Sequence, residues 1–267
     1  RLRRRTKFNL VADACRRDGV CFAQTEAVML KRLAAAWARL GLSPLTAVVT
    51  VAIGFGLKRF YSGAGAMELM WILAPSSWLA KYLGGIDLFY EKGAGFISHT
   101  HHIVVGPACA GVNFLLICFF MLVFSFSRHF QNKLGWLFCS LLLAFATTIV
   151  TNGVRIILAV YLFEQDIYGG YITPEGLHRF VGTAIYYGSL LGVYVVVERF
   201  VGSKSRRLAP LFWYLAVTLG IPAVGRAYRA NPEHFFAHAA QVVGIGLLLT
   251  IVAAFILAPK NIFHRIQ

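Results

Sequence analysis

Charge is what this 267-residue chain has least of: Asp, Glu, Lys and Arg together make up 14% of it, and only 11 residues are acidic. Soluble domains carry about a quarter of their residues as charges. With 58% hydrophobic residues and a mean hydropathy of +0.66, the composition excludes an ordinary soluble fold and indicates a polytopic membrane protein. Cysteine is sparse as well. The five, at positions 15, 21, 109, 118 and 139, are odd in number and lack metal-knuckle spacing, so no disulfide framework follows. There is no His-Glu-x-x-His sequence and no apolar run after the first arginines, which removes a zincin helix and makes a secretory signal a poor fit.

What is present is apolar length. The runs Ala110–Ser127, Leu134 to Asn152, Arg179–Val197, Ala209–Ala223 and Phe235–Ala258 mostly match a hydrocarbon thickness of ~30 Å. A shorter run to Leu57 opens at Ser43-Pro44, a capping residue followed by a first-turn proline, and closes at Lys58-Arg59. Met67 to Leu79 is interrupted by Pro75-Ser76-Ser77 and reads as a re-entrant or interfacial helix, or as one arm of a helical pair. From Tyr82 to Val105, glycines separate short runs such as Ile86–Tyr90 and Phe96–Ser98, the pattern of loop plus short strands at a membrane surface. The expected fold is an all-α polytopic membrane protein, a bundle of about six to eight transmembrane helices with a short strand and loop region at the outer face.

Three segments follow: a basic amphipathic cytoplasmic stretch over 1–41, a transmembrane domain over 42–258 and a cytoplasmic tail over 259–267. In the first, Val28, Leu33, Trp37 and Leu40 recur at helical spacing apart from Lys31, Arg32 and Arg39, which suits a helix lying on an anionic membrane face. The net charge of +15 raises the question of nucleic acid. If the N-terminus is cytoplasmic and six spans alternate, however, the inner segments 1–41, 128–133, 198–209 and 259–267 hold eighteen of the 26 Lys and Arg residues. The positive-inside bias then accounts for the charge without nucleic acid.

The most informative stretch is Gly106-Pro107-Ala108-Cys109-Ala110-Gly111-Val112-Asn113, where a turn-rich region becomes an apolar helix. Proline suits a first helical turn. Cys109 is therefore expected in turn one, where unpaired N–H groups and the helix dipole favour a thiolate; the competing reading is a small apolar residue packed in a membrane helix. Leu134 to Arg155 spans ~31 Å at 1.5 Å per residue, which lifts Arg155 to the outer membrane edge. Thr148, Asn152 and Arg155 follow helical spacing on one face. A charge in so apolar a run faces a partner, a cavity or a headgroup, with snorkelling to lipid phosphate as the alternative. His178 follows Thr173-Pro174, a cap and first-turn pair, and so begins a helix at the same outer level. There the dipole disfavours imidazolium, and a neutral ring is able to take a proton from a thiol.

These three blocks, Cys109-Ala110-Gly111-Val112-Asn113, Asn152-Gly153-Val154-Arg155-Ile156 and His178-Arg179-Phe180-Val181-Gly182, resemble in order and spacing the exosortase/archaeosortase family of membrane-embedded cysteine transpeptidases. The resemblance covers roughly residues 45–200; Ala110 stands where that family usually has Ser. It implies cleavage of a C-terminal sorting signal (a PEP-CTERM-like motif, a transmembrane helix and a basic tail) on membrane-anchored substrate proteins. The setting it implies is the outer, periplasmic face of a prokaryotic plasma membrane. Cys109 would attack the scissile carbonyl, Arg155 would stabilise the oxyanion, and His178 would activate the thiol and protonate the leaving amine. Asn113 and Asn152 are the candidate substrate-binding residues. An acceptor amine or other nucleophile completes the transfer, and no metal or organic cofactor is required. Two other classes compete. A transporter would line a midplane path with polar or broken helices, and a metal-dependent membrane hydrolase would draw on His99, His101, His102, His234 and His238.

Overall fold

The computed structural model describes residues 43–165, 173–202, 208–224 and 232–256. The segments 1–41 and 259–267, separated out above by their charge, lie outside the described residues. The chain is mostly helical, with one small antiparallel sheet.

Helix α1 (Pro44–Tyr61) begins where Ser43 Oγ accepts the Thr46 N–H at 3.1 Å, with proline in its first turn. Helix α2 (Met70–Gly84) runs unbroken through Pro75, so the proline does not divide the segment as its sequence suggests. The helix is held from outside. Trp71 stacks on Phe145 at 5.6 Å, Leu79 packs against Gly153 and Gly84 against Ile157. The rising register means that α2 runs parallel to the second half of α4 (Lys133–Glu164). Both α1 and α2 end beside the sheet, since Tyr61 reaches Pro107 and Gly84 reaches Tyr161. The chain between them therefore turns back into the body of the molecule.

The sheet has the order β1 (Phe89–Glu91), β2 (Gly95–Ser98), β3 (Ile103–Val105). Of the apolar run Ile86–Tyr90, only its end becomes strand. Ile86 and Leu88 are instead buried in a core shared with Ile156 and Val160 of α4.

Helix α3 (Val112–Phe126) leaves the sheet end, and α4 returns to it after a short turn in which Lys133 Nζ donates to the Ser127 carbonyl at 2.6 Å. So short a connection makes the two helices antiparallel neighbours. At 32 residues, or ~48 Å, α4 is far longer than the run to Asn152 read from hydropathy. Arg155 consequently lies inside α4 rather than at its end, and the last turns carry on to the sheet, where Glu164 meets His101. Helix α5 (Pro174–Val201) starts beside Arg155 under the Thr173 cap and runs away from the sheet. The run Ala209–Ala223 is not one regular helix: α6 (Ala209–Leu215) passes through a π-helical stretch, Ala216–Gly220, into α7 (Ile221–Val224). Helix α8 (Pro232–Ile256) completes the described chain, and its Thr250 hydroxyl bonds Tyr187 of α5.

Among the described residues, four helical stretches are long and apolar enough to cross a membrane: Pro107–His129, Lys133–Glu164, Gly176–Val201 and Phe235–Ile256. Their exposure pattern suits lipid. Phe138, Leu142 and Val150 of α4 and Leu248, Ile251 and Phe255 of α8 lie on the surface, while the most buried stretch is the one carrying α3.

Candidate functional site at the head of α3

The loop carrying Cys109 is shaped by Gly106-Pro107. The Cys109 N–H donates to the Gly106 carbonyl at 2.9 Å and the Ala110 N–H to the Pro107 carbonyl at 3.1 Å, closing a single 3-10 turn, Pro107–Cys109. Gly111 then takes φ +74°, and α3 begins only at Val112. Cys109 is therefore not in the first turn of α3, as its sequence context predicts, but just ahead of it. The cause is the left-handed glycine, a conformation that interrupts an α-helix and that other residues adopt at a cost. The field of the helix dipole falls off within a turn, and Cys109 lies outside the first turn of α3.

Gly111 also permits contact. A β-carbon there would meet Thr148 Cγ2 at 3.1 Å, and Asn152 Cγ and Tyr186 Oη at 3.5 Å, so the loop passes α4 and α5 at van der Waals distance. The stripe Thr148, Asn152 and Arg155 does share one face, and this is the face that meets the loop. Thr148 and Asn152 are fully buried. Asn152 Nδ2 donates to the Cys109 carbonyl at 2.6 Å, and Asn152 Oδ1 accepts the Tyr186 hydroxyl at 3.1 Å. The Tyr186 oxygen in turn accepts Arg155 Nη1 at 2.9 Å. One unbroken hydrogen-bonded path thus joins the Cys109 backbone to the Arg155 guanidinium. Phe114 stacks on the Tyr186 ring at 4.9 Å, and Arg155 Cζ stands 5.2 Å from that ring's centre.

Arg155 faces a second way. Its Nε is buried without a hydrogen-bond partner, and the side chain borders a small open cleft shared with His178. The walls are Ala159, Leu162, Phe163, Leu177 and Val181, all apolar. His178 is exposed and lies within electrostatic reach of Arg155, but it lines the cleft rather than the Cys109 loop. Of the three candidate residues, Arg155 stands in the middle: the Cys109 loop reaches it through Asn152 and Tyr186, and His178 shares its cleft.

The two asparagines part company. Asn152 already has its amide and its carbonyl engaged, as a tie between α4 and the loop. Asn113 is exposed, and its Oδ1 accepts Lys58 Nζ at 2.9 Å, which turns it toward α1. From that side Tyr61 donates to the Pro107 carbonyl at 3.4 Å, so α1 braces the loop opposite Asn152.

Sequence reasoning passed over Tyr186 and Tyr61. For Tyr186 a signal exists, since His178, Gly182 and Tyr186 recur every four residues on one helical face, and Gly182 packs against Arg155 Cδ. For Tyr61 no spacing gives the contact away, because α1 is a separate element. Among the described residues no group of three or more His, Cys, Asp or Glu side chains is placed to hold a metal ion; His101 instead contacts Asp87 and Glu164. In comparisons with known protein families, curated proteins and solved structures, the chain matches none of them.

Proposed function

We propose that the chain is a membrane-embedded cysteine transpeptidase of the exosortase/archaeosortase type. It would cross the membrane about six times, with Cys109, Arg155 and His178 at the outer edge. The observation that carries this reading is the link from the Cys109 carbonyl through Asn152 and Tyr186 to Arg155, which ties the loop that bears the thiol to a guanidinium forty-six positions away in sequence.

In the reaction, Cys109 Sγ forms a bond to the scissile carbonyl carbon as its proton passes to His178. The carbonyl oxygen becomes an oxyanion held by Arg155. On collapse the C–N bond breaks, His178 returns the proton to the departing amine, and a thioester remains. An acceptor nucleophile then displaces the thiolate. A guanidinium buried on one side and facing a cleft on the other suits charge that develops only in the transition state.

Co-expression with a substrate carrying a recognition motif, an apolar helix and a basic tail tests the assignment. Wild type should release the tail and accumulate a hydroxylamine-sensitive adduct on Cys109, and Cys109→Ala should do neither. Full processing by Cys109→Ala would end the transpeptidase reading. Thiol labelling tests the topology: a cysteine introduced at Gln165 should react from outside and one at Gln131 from the cytoplasm, and the reverse pattern would overturn the outer-face site.

A further inference from the structure

We propose that Tyr186 is a positioning residue, a hydroxyl that locks the Arg155 guanidinium and the Cys109 loop into one frame. Its relevance to catalysis rests on the transpeptidase reading above, but the geometry does not. The hydroxyl makes two bonds in series. It donates to Asn152 Oδ1 at 3.1 Å and accepts from Arg155 Nη1 at 2.9 Å. Since its single proton is committed to Asn152, Tyr186 in this arrangement is no proton donor to substrate.

Its effect passes through others. Asn152 Nδ2 holds the Cys109 carbonyl at 2.6 Å, so the orientation of that amide sets the loop, and Tyr186 fixes the orientation by choosing which end of the amide faces α5. A donor on Oδ1 leaves the NH₂ end for Cys109. On its other side the same oxygen gives Arg155 a neutral acceptor. That holds a guanidinium in place without cancelling its charge, as a carboxylate at that point would. The ring supplies the rigidity. Buried Phe114 stacks on it with planes 13° apart, so the hydroxyl is aimed by α3, the helix that Cys109 precedes. Tyr186→Phe keeps this stack and removes only the hydroxyl, leaving Arg155 Nη1 and Asn152 Oδ1 without partners.

The test needs no substrate. In the full-length chain in membranes, the rate of Cys109 alkylation is followed by mass spectrometry with two probes, neutral iodoacetamide and anionic iodoacetate. A guanidinium held near the thiol speeds the anion selectively, so the iodoacetate to iodoacetamide rate ratio reports Arg155 placement. At a separation on the order of 6 Å, a unit charge would change that ratio by about threefold even through water. Tyr186→Phe should lower the ratio about threefold, Arg155→Gln should lower it to the same value, and the double variant should go no lower. Tyr187→Phe, which loses the bond to Thr250 on the neighbouring face of α5, should leave the ratio unchanged and serves as the control for general loosening. A wild-type ratio in Tyr186→Phe, or effects of Tyr186→Phe and Arg155→Gln that multiply, would overturn the proposal. Because the readout is alkylation, a transpeptidase reading lost through Cys109→Ala would leave it standing, and its own failure would leave that reading untouched.

Discussion

Cys118, in the middle of α3, belongs to a buried cluster that includes Phe114, Phe119, Leu122 and Tyr187, and has no exposure. Around the Cys109 loop, nine residues earlier in the chain, stand the polar ends of Asn152, Tyr186 and Tyr61. The first region is held mainly by packing, the second by a string of directed bonds. A packed core tolerates loss of polar chemistry but not of volume. A hydrogen-bonded string tolerates neither a missing donor nor a misplaced one. The same helix therefore has a structural thiol in its body and a candidate nucleophile ahead of its first turn.

That contrast is broken most completely by exchanging the two thiols for alanine. Cys109→Ala should abolish tail release with insertion and thermal stability unchanged, while Cys118→Ala should process at nearly the wild-type rate; a parallel pulse-chase of both variants measures this. The reverse result would assign the chemistry to the packed region. Volume comes next. Phe119→Ala, in the core around Cys118, should lower stability by about 3–5 kcal/mol, read as detergent-solubilised unfolding temperature, yet leave the iodoacetate to iodoacetamide ratio at Cys109 unaltered. Arg155→Lys should behave in the opposite way, because a lysine keeps the charge but not the planar set of donors. A loss of ~3 kcal/mol in transition-state stabilisation, about a hundredfold in processing rate, is expected without a change in unfolding temperature.

Two smaller effects sharpen the boundary between the regions. Asn152→Ala leaves the Cys109 carbonyl without its donor and the Tyr186 O–H without its acceptor, a cost of about 1–3 kcal/mol. The loop should loosen, so amide exchange at Ala110 and Gly111 should accelerate while exchange along the body of α3 does not. At the sheet, Asp87 accepts Ser98 Oγ at 2.5 Å and Thr100 Oγ1 at 2.6 Å, and these bonds hold its carboxyl below the ordinary carboxylate range. A lowered value in the folded state means that this support is present above the ordinary pKa and is lost as pH falls through the depressed one. Hydrogen exchange at β2 should therefore speed up on acidification into that window, and Asp87→Asn should remove the dependence.

Much of this molecule is readable from its sequence for a physical reason: burial in lipid acts on composition. A run such as Leu134–Asn152 must pair all its backbone groups within itself, so apolar length predicts a helix wherever it occurs. Local chemistry was legible too. Ser43 and Thr173 cap α1 and α5 because a hydroxyl before a proline-headed turn has an amide to accept. The glycine spacing around Phe96 marked the sheet. The shared face of Thr148, Asn152 and Arg155 followed from 3.6 residues per turn.

What the sequence by itself determined, then, is the helical and membrane character of the chain, its caps, and the residues with reactive chemistry. What only the tertiary structure decided is which of them meet. Pro75 reads as a break until α4 is alongside to hold α2 together. The extension of α4 to Glu164 past Arg155 is stabilised by Ile86 and Leu88, which are distant in sequence. Cys109 reads as a first-turn residue until Gly111, pressed between Thr148, Asn152 and Tyr186, turns left-handed and delays the helix. Asn113 and Asn152 have the same side chain and similar motif positions, yet one is drawn to Lys58 and the other to the Cys109 carbonyl. Propensity and hydropathy act over one turn or one run of residues, whereas each of these outcomes depends on a partner supplied by another helix.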